Sequence, residues 1–286
     1  MTTRIRDVLD VLEAAYPPSY AESWDAVGLV CGDPDATVER VLCCVDPVEE
    51  TVDAAVEQGA QLLVSHHPLL LRGVHALPAD DPKGRLLHRL IRAGIGLYCA
   101  HTNADTASPG VSDALAARLG LTVTGPLSPH REGAETGLGR LGTLPEPEPF
   151  ERFVHRVADA LPATSWGVRG AGDPRRTVRR VAVCGGSGDS NLDAAVEAGV
   201  DAYVTADLRH HPAAEHLSRA DVPDTRVPNL VDVAHWASEW PWCEQAADVL
   251  GAALPDTVEV LVSACRTDPW TVHAHATDTD TGRKPE

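Results

Sequence analysis

The sequence predicts an α/β protein built from two similar halves. Strand-like apolar runs alternate with amphipathic helical runs along most of its 286 residues, the pattern of layered α/β folds. In addition, Asp53-Ala54-Ala55-Val56-Glu57-Gln58-Gly59 recurs 140 residues later as Asp193-Ala194-Ala195-Val196-Glu197-Ala198-Gly199. The match extends both ways. Val41-Leu42-Cys43-Cys44 parallels Val181-Ala182-Val183-Cys184, and Val64-Ser65-His66-His67-Pro68 parallels Val204-Thr205 followed by His210-His211-Pro212. Strand, helix, strand and His-His-Pro in one order point to a duplication.

The elements follow in order. Residues 5–15 place Ile5, Val8, Leu9 and Leu12 on one helical face and stop at Pro17-Pro18. A glycine-punctuated segment spans 24–32, and 38–45 reads as a strand. A helix over 51–58 closes at Gly59, and the next strand ends in His66-His67. Helices are expected over 84–93 and 111–119, with a strand over 94–100 between them. Five prolines (126, 129, 145, 147 and 149) break the stretch 121–150, where one strand fits at 137–144. Beyond it come a helix over 150–161, a strand over 177–184, a turn at Gly185-Gly186-Ser187-Gly188 and a helix over 191–198. Strands at 202–205 and 226–234, a helix at 242–250 and a strand at 257–263 complete the series. The expected organisation is a first half over 1–125, a Pro/Gly-rich connector over 126–149 and a second half over 150–266. A polar tail over 267–286 closes the chain, disordered from 275.

Net charge is −18, from 42 acidic and 24 basic residues. Such a chain is repelled by phosphate backbones, so nucleic acid is not an expected partner. The one arginine cluster, Arg175-Arg176 with Arg179-Arg180, reads as the solvated entry to a strand. The seven cysteines form no C-x-x-C pair, and most lie in apolar runs. That usage fits a reducing compartment. With no signal-like or membrane-spanning run, a cytoplasmic protein away from membranes is expected.

The chemistry concentrates where strands end. His66 and His67 close an apolar run, and Pro68 favours an extended His67. Adjacent side chains on a strand diverge, so the pair suits two neighbouring metal ions; a polar loop is the alternative. The next strand of the first half ends at His101-x-x-x-Asp105, and its counterpart in the second half at His235-x-x-x-Glu239. Residues i and i+4 share a helical face, which sets an imidazole beside a carboxylate. Both pairs belong at the carboxyl ends of strands, where open α/β sheets bind ligands.

Other signals are weaker. The Gly185–Gly188 segment offers backbone N–H groups to a phosphate, but it lacks the spacing of a dinucleotide or nucleotide loop and reads as a tight turn. His210 and His211 are the image of His66 and His67, a lost or altered site. His75, His88, His130 and His155 have no partners in the pattern, and His273 and His275 lie in the tail.

Taken together, Trp24-Asp25-Ala26-Val27-Gly28-Leu29, Ser65-His66-His67-Pro68-Leu69, His101-Thr102-Asn103-Ala104-Asp105, the segment 205–211 and the segment 235–239 resemble the Nif-three-like dinuclear-metal proteins. Members of that family are often labelled GTP cyclohydrolase 1 type 2 homologues. The resemblance implies two intertwined αβ halves with mixed sheets, a two-metal site between them and a ring-shaped homohexamer. By position it makes His66, His67, Asp105, His235 and Glu239 metal ligands, with His101 a further ligand, a proton carrier or an orienting group. Glu239 and His101 are the candidate catalytic residues. Imidazole with carboxylate suits zinc first, and manganese, iron or cobalt next. The chain departs from the family pattern at Ala26, at Ala206-Asp207 and around Trp236, so the lining differs while the ligand positions survive. Two cations suit hydrolysis of a small nucleotide-like or phosphorylated substrate. The alternative is a non-catalytic metal-binding or scaffold hexamer.

Overall fold

Three short parallel strands form the centre of the first half: β2 (Arg40–Cys44), β3 (Leu62–Ser65) and β4 (Gly96–Cys99). Nearly every residue in them is buried, as expected of parallel strands covered on both faces. β1 (Gly28–Cys31) runs antiparallel beside β4. The helices of this half are α1 (Ile5–Ala15), α2 (Glu49–Glu57), α3 (Pro82–Ala93), α4 (Thr102–Thr106) and α5 (Val111–Arg118). The computed structural model describes residues 2–223 and 225–274; the expected disorder over 275–286, and His275, lie outside the described residues.

The second sheet repeats this plan. Its elements are β5 (Thr122–Pro129), β6 (Gly137–Pro149), α6 (Phe150–Ala160), β7 (Val168–Ala171), β8 (Thr177–Ser187), α7 (Leu192–Glu197), β9 (Ala202–Ala206), α8 (His210–Ser218) and β10 (Asn229–Val233). The order β7-β10-β9-β8 mirrors β1-β4-β3-β2, including the antiparallel outer strand. The duplication reaches single hydrogen bonds. The Arg40 guanidinium donates to the Gln58 carbonyl, and Arg180 donates to the Ala198 carbonyl at 2.6 Å. Each helix then ends at a left-handed glycine, Gly59 (φ 63°) or Gly199 (φ 62°), a conformation glycine adopts without a steric cost.

The halves interlock. The last strand, β11 (Glu259–Val262), pairs in parallel with β2 and so belongs to the first sheet. The long helix α9 (His235–Ala253) touches α1, β2 and β11 as well as α5 and β8. One apolar core joins Val41, Val64 and Tyr98 to Val181, Val204 and Val231, with Trp242 of α9 fully buried among them. Two smaller clusters cover the outer faces, one under α2 and α3 and one under α7.

Several expectations need correction. The Pro/Gly-rich connector expected over 126–149 takes part in the second sheet: β5 and β6 pair antiparallel, and β6 pairs with β8. Pro126 and Pro129 are tolerated because β5 is an edge strand. Pro145 and Pro147 fall where the β6–β8 register shifts, between Thr143 and Glu148. The boundary of the second half at 266 also fails, because β11 serves the first sheet. The strand expected to end at Cys184 runs on to Ser187, and the helix expected from Trp242 begins at His235 despite Pro241 inside it. Proline removes only one ladder bond there. Helix α8 had no periodic signal of its own.

Candidate metal centre

Six side chains meet where the carboxyl ends of the two sets of parallel strands face each other. His66 and His67 follow β3, His101 follows β4 and precedes α4, Asp105 lies on α4, and His235 and Glu239 form the first turn of α9. The strand stops at Ser65, so the expected divergence of His66 and His67 does not apply. Their rings lie 5.1 Å apart and both turn toward Glu239. The i, i+4 pairing on α9 sets His235 Nε2 3.0 Å from Glu239 Oε1. His67 Nε2 lies 3.1 Å from Glu239 Oε2, and His66 Nε2 lies 3.5 Å from Glu239 Oε1 and 3.7 Å from Asp105 Oδ1.

Every imidazole is gripped from behind. The Nδ1 atoms of His67, His101 and His235 sit 2.7, 2.9 and 2.7 Å from carboxylate oxygens of Asp46, Asp25 and Asp207. His66 Nδ1 lies 2.9 Å from the Ala100 carbonyl. A carbonyl only accepts, so His66 donates from Nδ1 and turns an unprotonated Nε2 inward when neutral. This is the outer-sphere arrangement that fixes metal-binding histidines. Asp25 is itself held by the backbone N–H and the hydroxyl of Thr102.

The electrostatics ask for cations. Burial opposes ionisation of Glu239, yet His235, His67 and His66 hold its carboxyl well below the usual range. Burial resists a proton on His67, but Glu239 and Asp46 overcome it and push the imidazole up to about 10. Glu239 chiefly, aided by Asp207 and against burial, takes His235 up to about 11. Burial lifts Asp105 to about 6, with His66 holding it back and Glu239 adding to the rise. His101 is shifted down by burial and by His66. Among the described residues, two buried atoms, His66 Nε2 and Glu239 Oε2, make no hydrogen bond of good geometry. Buried polar atoms are rarely left so, and a metal ion would satisfy both. Among the described residues, two sets have donor atoms close enough to hold an ion: His66, His67 and His101, and His67, His235 and Glu239. His101 thus enters a ligand-like trio.

A cleft of about 490 Å³ opens onto these atoms, lined also by Trp24, Ser112, Cys184, Gly186, Ser187 and Asn191. Gly186 approaches so closely that a Cβ there would lie 2.4 Å from Glu239 Oε1. In the glycine segment the N–H groups of Gly185 and Gly186 are engaged, donating to the hydroxyls of Ser112 and Ser238. His210 and His211 are exposed at the start of α8 and do not line this cleft.

The sequence profile of the Duf34/NIF3 family (NGG1p interacting factor 3) matches residues 3–269. This chain belongs to the Duf34/NIF3 family. A Streptomyces coelicolor relative, named GTP cyclohydrolase 1 type 2 homolog, is 52% identical, with 96% of each chain covered. Among solved Duf34/NIF3-like folds, a hypothetical protein of Staphylococcus aureus superposes with a TM-score of 0.84 at 28% identity, covering 95% of this chain and 99% of that one. A Bacillus cereus protein related to NIF3 gives 0.83 at 24% identity, over 94% and 99%, which speaks for the fold alone. The five segments singled out in the sequence each contribute a side chain to the centre just described: Asp25, His66 and His67, His101 and Asp105, Asp207, and His235 and Glu239. Sequence reasoning missed the gripping carboxylates Asp46 and Asp207 and the need for glycine at 186. A signal for two of them was present: Asp207 and Gly186 stand 140 residues after His67 and Asp46.

Among the described residues, no helix is long and apolar enough to cross a membrane.

Proposed function

We propose that this protein is a hydrolase that uses two divalent metal ions, zinc foremost, on a small nucleotide-like or phosphorylated substrate. The observation carrying this reading is the set of four imidazoles, each tied outward through Nδ1, three of them with Nε2 within 3.5 Å of the buried carboxylate of Glu239. His66, His67, His101, Asp105, His235 and Glu239 would hold the ions, with Glu239 reaching donors of both trios. When bound, two cations acidify water and neutralise charge developing on a substrate. The residues of the chain do the rest. Asp25, Asp46 and Asp207 keep the rings aimed, and the cleft lined by Trp24, Asp105 and Asn191 admits the substrate. The relatives' name supports a purine nucleotide as one substrate to try.

The excess of acid over base supports a small molecule over nucleic acid as the substrate. Cytoplasmic residence and assembly into a ring of six belong to the same reading, and scattering mass in solution tests the second. The functional test is metal analysis of the purified chain, followed by a screen of nucleotides and phosphoesters. Two ions per chain and turnover that vanishes in Glu239→Ala are expected. One ion or fewer under saturating metal would refute the paired centre. Two ions without turnover on any compound would favour the non-catalytic alternative.

A further inference from the structure

Behind the metal centre lies a second cavity, of about 310 Å³, that shares only His67 and His235 with the cleft. Asp46 and Asp207 line it, whereas Asp105 and Glu239 do not, so it opens on the Nδ1 side of the imidazoles. Its walls carry Trp166, Trp236 and Trp270 together with a third carboxylate, Asp268.

Asp46 and Asp207 are already engaged with imidazoles. Asp268 is different. Its side chain belongs to a residue only 7% exposed, and among the described residues Oδ2 has no hydrogen-bond partner. An unsatisfied buried carboxylate oxygen is costly unless something completes it. The aromatic walls are held in place. Trp166 is fixed by its Nε1 donating to Asp232 at 3.2 Å, and the Arg169 guanidinium, which does not line the cavity, stacks 4.2 Å from its ring centroid. Trp270 packs 5.8 Å from Trp166, tilted by 37°, and is 58% exposed.

Among the described residues, no lysine or arginine lines the cavity. Two divalent ions in the centre would carry four positive charges, against carboxylates of Asp25, Asp46, Asp105, Asp207, Glu239 and Asp268. The region therefore keeps a negative balance even when loaded. A hard inorganic cation wants a shell of about six or more oxygens; here Asp46, Asp207 and Thr267 are already engaged, and the three indoles supply none. Indole faces beside a carboxylate instead suit a soft, weakly hydrated organic cation.

We propose that this cavity binds a small organic cation, a guanidinium or alkylammonium group of a small molecule, held by Asp268 and the faces of Trp166 and Trp270. The cavity is at the lower end of ligand-pocket sizes, which fits a single charged headgroup. The site goes beyond the metal reading and stands apart from it, since neither Asp268 nor Trp270 is a candidate ligand.

Calorimetric titration of the full chain, metal-free and metal-loaded, with methylguanidinium and tetramethylammonium, and with urea and tert-butanol as neutral counterparts, tests this. Saturable binding of a cation and none of its neutral counterpart is expected. Asp268→Asn should weaken the binding about tenfold or more, and Trp270→Ala, at an exposed position, should weaken it comparably. Metal content should stay unchanged in both variants, so a failure of the metal reading shows separately in elemental analysis. No saturable binding of either cation, or binding that both variants retain in full, would overturn the proposal. Calcium binding that Asp268→Asn removes, without any organic-cation binding, would overturn it too.

Discussion

Asp207 stands where the duplication puts the counterpart of His67, and its Oδ2 lies 2.7 Å from Nδ1 of His235. One half thus uses this position for a candidate ligand, and the other for the group that aims one. Asp207 holds a left-handed backbone, φ 56°, to do so, a conformation that short acidic side chains accept better than most. Asp207→Ala should leave all candidate ligands in place yet lower metal affinity by roughly 10–100-fold. Competition with a chromophoric chelator measures this. Unchanged affinity would show that the Nδ1 contact does nothing for binding.

Glu239 and Asp105 differ in how many imidazoles depend on them. Glu239 lies within 3.5 Å of His66, His67 and His235, whereas Asp105 pairs only with His66, at 3.7 Å. Glu239→Gln should therefore empty the centre, and Asp105→Asn should cost it one ion. Elemental analysis after dialysis gives both numbers. Equal losses in the two variants would remove Glu239 from its central place.

His101 belongs to one trio only. In His101→Ala one ion should be lost and the other retained. Full occupancy with slowed turnover would make His101 a proton carrier instead.

Gly186 combines a left-handed φ of 67° with the close approach to Glu239. Gly186→Ala should cost about 1–2 kcal/mol from backbone strain alone, and it should displace the carboxylate. A fall in Tm together with weaker metal binding is expected. Weaker stability with undiminished metal affinity would show that Glu239 can step aside.

In the metal-free protein, protons occupy the place of cations. His67 and His235 are raised to about 10 and 11, so both are protonated at pH 7, and a metal must displace those protons. Metal loading should release about two protons per chain near neutrality, and affinity should fall steadily as pH drops. The same shifts set the stability of the metal-free chain. Raised imidazoles stabilise the fold fully below the unfolded value and lose that contribution as pH rises toward 10–11. Calorimetry in buffers of different ionisation enthalpy measures the release. Zero protons released at pH 7 would contradict the protonated cluster.

Much of this was legible in the sequence, for physical reasons that vary by element. The β2–α2–β3 unit declares itself because buried parallel strands are continuous apolar runs and Gly59 punctuates the helix. The His-x-x-x-Asp and His-x-x-x-Glu pairs were legible because i, i+4 spacing is local. β5 and β6 were obscured by prolines, whose tolerance depends on an edge and a register shift that only pairing reveals. The partner of β11 was not legible, since a short apolar run carries no record of which sheet it joins. Nor were the gripping carboxylates as a set, because Asp25 and Asp46 lie far in sequence from one another and near their imidazoles only in space.

The place of β11 has a bearing on how the molecule comes into being. Its partner β2 lies more than 200 residues earlier, with Val260 opposite Val41. A ribosome delivers the first sheet's central strands long before the strand that completes it, and His235 and Glu239 arrive only shortly before that strand. Such distant pairing slows folding. A nascent chain therefore displays His66, His67 and His101 without the carboxylate that ties them together. The whole set of candidate ligands is assembled only when synthesis is nearly over.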